Sequence, residues 1–172
     1  MSKRGGRGFV PEKPGRGCPI IGLGAESWRE QPVRTKFRPM QVFISHASRD
    51  QRLARQLADR LDKAGVKVYP GAEDIEPGEN WAKQVGLALE QSDVMVVLFT
   101  PNAASSDFVQ KDVEYALSSK SYQGRVIPVL VQPGAKMPWI LNRLDPLSLS
   151  MDPPNLQAGF GEVVRRVKAL ET

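Results

Sequence analysis

Val94-Met-Val-Val-Leu-Phe99 is an unbroken run of six apolar residues, entered from Ser92-Asp93 and left through Thr100. A run this short and this rich in branched side chains reads as a strand buried on both faces, which puts it at the centre of a parallel sheet. The segments on either side repeat an alternation of helix and strand. Upstream, Trp81 to Gln91 is a helix carrying Trp81, Val85, Ala88 and Leu89 inward, preceded by a loop from Pro70 to Asn80. Val66-Lys-Val-Tyr69 is a strand set off by Gly65, which ends a helix over Arg49 to Ala64 with Leu53, Leu57 and Leu61 on one face. Ser48 and Gln51 fit a capping box at the start of that helix. Gln41-Val-Phe-Ile-Ser45 is the first strand.

Downstream, a loop from Thr100 to Asp107 leads into a helix near Phe108 to Ser118, and Arg125 to Val131 forms a fourth strand. Pro128 places that strand toward an edge or at a bulge, because proline has no N–H for the ladder. Pro138 to Leu144 is a short helical turn and Leu147 to Leu149 a brief fifth strand. Ala158 to Leu170 is a closing helix with Phe160, Val163, Val164, Val167 and Leu170 inward. Parallel neighbours need crossover connections, so five strands alternating with helices point to an α/β fold. The expected form is an open parallel five-stranded sheet of flavodoxin-like order 2-1-3-4-5, with helices on both faces. Ligands in such sheets sit beyond the carboxyl ends of the strands where the winding reverses. Here that crevice is ringed by Ser45 to Ser48, Pro70 to Asn80 and Thr100 to Asp107.

With 172 residues, 41% hydrophobic and 25% charged, the chain suits one domain and a short appendage. No apolar run approaches the roughly 18 residues of a membrane span, and Met1-Ser-Lys-Arg-Gly-Gly-Arg lacks the apolar stretch of a signal peptide. A soluble, cytoplasmic protein without a membrane partner is expected. One cysteine, Cys18, and one histidine, His46, exclude an internal disulfide and a thiolate or imidazole zinc site, so no metal is expected. Residues 1–39 hold nine Lys+Arg against three acids, a balance of +6, and leave residues 40–172 at −1. The same segment holds seven glycines and five prolines, too little apolar surface to offset the entropy of ordering. It reads as a basic flexible arm, 1–39, ahead of a neutral domain, 40–172. Salt-sensitive contact of the arm with nucleic acid or an acidic partner is the alternative, but a neutral body gives no reason to expect nucleic acid as the domain's ligand. Gly22-Leu-Gly24 within the arm echoes half a dinucleotide fingerprint, without the strand and helix such a fingerprint needs.

The crevice loops exclude several occupants of this fold. A phosphoacceptor receiver needs acids after the first strand and an aspartate ending the third, where this chain has Ser45-His46-Ala47-Ser48 and Phe99-Thr100. A P-loop or Rossmann turn needs glycines between first strand and helix, and there are none. Ser45 and His46 are consecutive at a strand end and point to opposite sides, so they do not form a nucleophile and base pair. The informative helix is Ser105-Ser106-Asp107-Phe108-Val109-Gln110-Lys111-Asp112-Val113-Glu114-Tyr115-Ala116-Leu117. At about 100° per residue from Phe108, Val109, Val113 and Ala116 cluster near 100°, Asp112 lies near 40° and Glu114 near 240°. Asp112 therefore borders the buried face, with Phe108 on the same flank, and Glu114 opposes it. A simply solvated aspartate remains the alternative reading.

These residues resemble the TIR (Toll/interleukin-1 receptor) domain family, bacterial type. The resemblance rests on Val42-Phe-Ile-Ser-His-Ala-Ser-Arg-Asp50, on Asp74-Ile-Glu-Pro-Gly-Glu-Asn-Trp81 at the family's BB loop, on Ser92-Asp-Val-Met-Val-Val-Leu-Phe-Thr-Pro101, and on Phe108 to Leu117. It covers roughly residues 40–135 and implies the fold reasoned above. It also implies an NAD+ hydrolase or cyclase that breaks the nicotinamide–ribose bond, activated by self-association, in bacterial immunity such as antiphage defence. NAD+ is then the substrate, and no cofactor is expected.

The family's glutamate stands four residues after an aromatic, usually tryptophan. Counting from Phe108 gives Asp112, so this chain has Phe for Trp and Asp for Glu. The resemblance thus implies Asp112 as the catalytic carboxylate, with Glu114 in reserve. Ser45, His46 and Ala47 would meet the nicotinamide and ribose, and Phe108 would flank them. Arg49, with Arg52, would hold phosphates at the start of the next helix. Other TIR domains would be partners through the loop Pro70 to Trp81. The shorter acid leaves a second expectation, a catalytically inactive TIR module that acts only by binding other proteins.

Overall fold

The computed structural model describes residues 38–69, 81–132 and 135–171. The basic arm and the loop 70–80, with the roles expected of them, lie outside the described residues. Five strands form one all-parallel sheet in the order β2-β1-β3-β4-β5: β1 Gln41–Ser45, β2 Lys67–Val68, β3 Val94–Phe99, β4 Val126–Val131 and β5 Leu147–Leu149. The connecting helices are α1 Gln51–Lys63, α2 Trp81–Gln91, α3 Pro101–Ala104, α4 Asp107–Ser118, α5 Trp139–Asn142 and α6 Pro153–Ala169. The expected order 2-1-3-4-5 is the observed one.

Alternation along the central strands divides the interior into two cores. Val42, Ile44, Val94, Val96, Leu98, Ile127 and Val129 face α1 and α6, where Leu53, Leu57, Leu61, Phe160, Val163 and Val167 meet them. Phe43, Met95, Val97, Phe99 and Val126 face the other way, against Ala88 and Leu89 of α2, Val109, Val113 and Ala116 of α4, and Leu141 of α5. Right-handed crossovers explain the partition. The step from β1 to β2 runs one way along the sheet and puts α1 on one face. The steps β2 to β3, β3 to β4 and β4 to β5 run the other way and put α2, α4 and α5 on the opposite face.

Several local features depart from the expectation. The capping box at Ser48 is not formed: a 3-10 turn over Ser48–Asp50 precedes α1, whose N-cap is Asp50 with no side-chain cap bond. Loop residues after β3 include the short helix α3, started by Thr100, whose hydroxyl accepts the Ala103 N–H at 3.0 Å, and by Pro101, whose fixed φ suits a first turn. The second strand is only Lys67–Val68, an edge strand, and α6 begins at Pro153 rather than Ala158, since proline is tolerated in a first turn. Pro128 lies one strand in from the edge without a bulge. It sits opposite Val97 in an unbroken register, one residue before pairing with β5 begins at Val129.

Candidate functional site

The carboxyl end of β1 meets the first turns of α4. Ser45 has the parity of Phe43, so it faces the α4 side of the sheet, and only 1% of it is exposed. A buried hydroxyl requires a partner. Ser45 Oγ donates to Asp112 Oδ2 at 2.8 Å. Helix α4 carries Asp112 there because Ser106 caps its start, accepting the Val109 N–H, and because Val109, Val113 and Ala116 dock its apolar stripe. Asp112 lies at the margin of that stripe and is half-buried, while Glu114 is on the exposed side. Among the described residues, no hydrogen bond reaches the other oxygen of Asp112.

Burial pushes the Asp112 carboxyl from 3.8 up to about 6, partly offset by the Ser45 hydrogen bond and the charge of nearby His46. The His46 ring bonds back to its own strand, with Nδ1 at 3.0 Å from the Ile44 carbonyl oxygen. A carbonyl only accepts, so Nδ1 carries the proton, and in the neutral ring Nε2 is an acceptor. That Nε2 is buried and has no hydrogen-bond partner among the described residues. Ala47 is buried in the α4-side core. Phe108, one turn before Asp112, is 54% exposed, and Arg49, in the turn leading into α1, and Arg52, in its first turn, are exposed.

Ser45, His46 and Asp112 are thus brought together, Phe108 and Arg49 are exposed, and Glu114 lies on the exposed side of α4. Sequence reasoning missed Asp50, Thr100 and Asn102. The Asp50 carboxylate accepts from Thr100 Oγ1 at 2.5 Å and from Asn102 Nδ2 at 2.9 Å, which ties the turn after β1 to the turn after β3. The available signal was an acid at the end of one crevice loop and Thr-Pro-Asn in the next, each short and polar. A groove of about 360 Å³ opens at the other end of the sheet, beside Ser118, Lys120, Tyr122, Val126 and Leu144, and shares no residue with this cluster. Among the described residues there is no group of His, Cys, Asp and Glu that could hold a metal. No helix among them is long and apolar enough to cross a membrane.

Comparison with known proteins agrees with this architecture. The chain is 28% identical over 91 residues, 52% of its own length, to the probable 2' cyclic ADP-D-ribose synthase BdTIR of Brachypodium distachyon. It is 24% identical over 86 residues, 49% of its length, to the NAD(+) hydrolase TcpC of Escherichia coli. The matched regions span 39% and 28% of those two relatives. In three dimensions it superposes on the crystal structure of the TIR domain of the Toll-related receptor TRR-2 from Hydra magnipapillata. That likeness has a TM-score of 0.60 at 23% identity and covers 76% of this chain and 98% of the other. A family model described as TIR domain matches residues 42–164. That match runs from β1 through most of α6, and the chain belongs to the TIR domain family.

Proposed function

We propose that this TIR domain cleaves NAD+ at the nicotinamide–ribose bond, with the Asp112 carboxylate stabilising the positive charge that develops on the sugar. The observation that carries the reading is the half-buried Asp112 carboxyl held against Ser45 at the reversal point of the sheet. Such a crevice is where open parallel sheets bind ligands, and a carboxyl with a raised pKa in it is a mark of function.

The chemistry asks little of the protein. Nicotinamide leaves a cationic pyridinium as a neutral molecule, taking the electron pair of the broken C–N bond, so the leaving group needs no proton. The ribose becomes oxocarbenium-like and is stabilised by a nearby carboxylate. Water captures it and loses a proton to give ADP-ribose, or a nucleophilic atom of the same molecule captures it to give a cyclic isomer. The Ser45–Ala47 turn that carries His46 meets the nicotinamide and ribose, Phe108 offers a ring face, and Arg49 and Arg52 pair with phosphates. Similarity to relatives named as an NAD(+) hydrolase and a cyclic ADP-ribose synthase supports the same reading. We further assign the domain to a bacterial-type immune effector that self-associates through the loop 70–81.

Nicotinamide release from NAD+ tests the reading. Asp112→Ala should lower the rate by about a hundredfold or more, the usual cost of a lost charge stabiliser, whereas Glu114→Ala should leave it nearly unchanged. Loss with Glu114→Ala alone would make Glu114 the catalytic carboxylate. A parent protein that assembles with TIR domains yet releases no nicotinamide would leave an inactive interaction module as the function.

A further inference from the structure

Asp50 closes the 3-10 turn that follows β1, where an aspartate is expected to cap the coming helix. It does not: its carboxylate turns across the crevice to the segment after β3. Oδ2 accepts the Thr100 hydroxyl and Oδ1 the Asn102 amide. Thr100 is 5% exposed, and its oxygen also accepts the Ala103 N–H, so its hydroxyl is used in both directions. The Asp50 N–H donates to the Ala47 carbonyl at 2.8 Å, which fastens the same residue to the Ser45–Ala47 turn.

The two segments joined at Asp50 are joined again at the Ser45–Asp112 hydrogen bond. Between those ties lie α3, which is only four residues long, and the Ser106 cap of α4. A helix of one turn has almost no stability of its own, so the corner from α3 to α4 depends on external ties for its place. Bonds to a carboxylate are the strong kind, and two of them fix direction as well as distance.

We propose that Asp50 is a positioning residue: with Thr100 and Asn102 it clamps the corner between α3 and α4 to the end of β1, and so sets where the Asp112 carboxylate stands beside the Ser45–Ala47 turn. The clamp matters more here than it would for a glutamate, because the shorter side chain has one fewer torsion with which to recover a misplaced helix. A displacement of about 1 Å at a reacting centre costs on the order of a hundredfold in rate. The consequence for catalysis rests on the NAD+ reading; the placement of the carboxyl does not.

The test uses three variants of the full chain. Asn102→Asp sets two carboxylates against each other. Asp50→Asn combined with Asn102→Asp keeps the net charge and restores both bonds, the one between positions 50 and 102 with donor and acceptor exchanged and the one from the Thr100 hydroxyl in its original direction. Asn102→Ala removes one bond without altering charge. Asn102→Asp should lower kcat for nicotinamide release by about tenfold or more with KM within about threefold, and the exchanged pair should recover kcat to within about threefold of the parent.

Titration of the Asp112 carboxyl carbon by NMR is the reading independent of activity. The ionisable groups that bear on that carboxyl are His46 and Tyr122. Loosening lessens burial, so in Asn102→Ala the midpoint should fall from about 6 toward 3.8, and in the exchanged pair it should stay. If Asn102→Asp does not fold, the exchanged pair and Asn102→Ala still decide. An exchanged pair as impaired as Asn102→Asp or displaced in its titration, or an Asn102→Ala titration that stays at the parent value, overturns the clamp. A parent chain that releases no nicotinamide overturns the NAD+ reading, while the titration still decides the clamp.

Discussion

Asp112 joins a stability cost to the chemical use proposed for it. Folding raises its pKa from 3.8 to about 6, so the folded chain holds this proton more tightly than the unfolded chain. Its contribution to stability is therefore fully present below about pH 4 and is lost as pH rises through about 6, by up to about 3 kcal/mol. Asp112→Asn is neutral at every pH and can still accept the Ser45 hydroxyl. Thermal melts should show the variant more stable than the parent by about 1–3 kcal/mol at pH 8, with the gap closing at pH 4. The ionised form is the one that stabilises an oxocarbenium, so the parent's rate should rise through about pH 6 to a plateau. A melting difference independent of pH would show that the carboxyl is not buried as described. The angular position of Asp112 was legible in the sequence because helical periodicity fixes which residues border an apolar stripe. Its contact with Ser45 was not: Val42 and Ile44 are as apolar as Phe43, so alternation alone does not say which face Ser45 shares with a helix.

At the scale of one element, α6 shows how close approach constrains composition. Gly159 faces Leu149 of β5, and a Cβ at that position would overlap the Leu149 Cδ1 methyl, which is buried in the α1-side core. Two residues on, Gly161 has open space around its missing Cβ. Thermal denaturation should therefore separate two identical substitutions in one helix. Gly159→Ala should destabilise by about 1–2 kcal/mol, overpacking outweighing the gain in helix propensity. Gly161→Ala should stabilise by about 0.5–1 kcal/mol. Equal effects would mean that α6 does not pack this closely on β5. Sequence periodicity located the inward face of this helix correctly through Phe160, Val163 and Val167 but began it at Ala158. Two prolines obscured a first turn that they are in fact suited to start. The capping box at Ser48 failed for a related reason. Spacing pairs Ser48 with Gln51 locally, whereas a 3-10 turn over Ser48–Asp50 moves the N-cap to Asp50, whose carboxylate bonds across the crevice to Thr100 and Asn102.

For the molecule as a whole, the proposed self-association through the loop 70–81 would make the proposed activity obey mass action. Nicotinamide released per molecule should rise across an about hundredfold range of protein concentration, together with light-scattering mass; a flat specific activity would separate catalysis from assembly. The parallel sheet was readable from the sequence because it follows from short-range physics, and its order 2-1-3-4-5 was expected as a common order of such sheets. An unbroken apolar strand must be covered on both faces, parallel neighbours require crossovers, and crossovers are right-handed. The family resemblance drew on the same local strings. Tertiary structure alone decided which polar side chains meet at the carboxyl ends of the strands. Ser45 reaches Asp112 across 67 positions of chain and Asp50 reaches Thr100 across 50, contacts that no periodicity encodes. They form because a buried hydroxyl or carboxylate must find a partner, and the packed helices decide which partner is within reach.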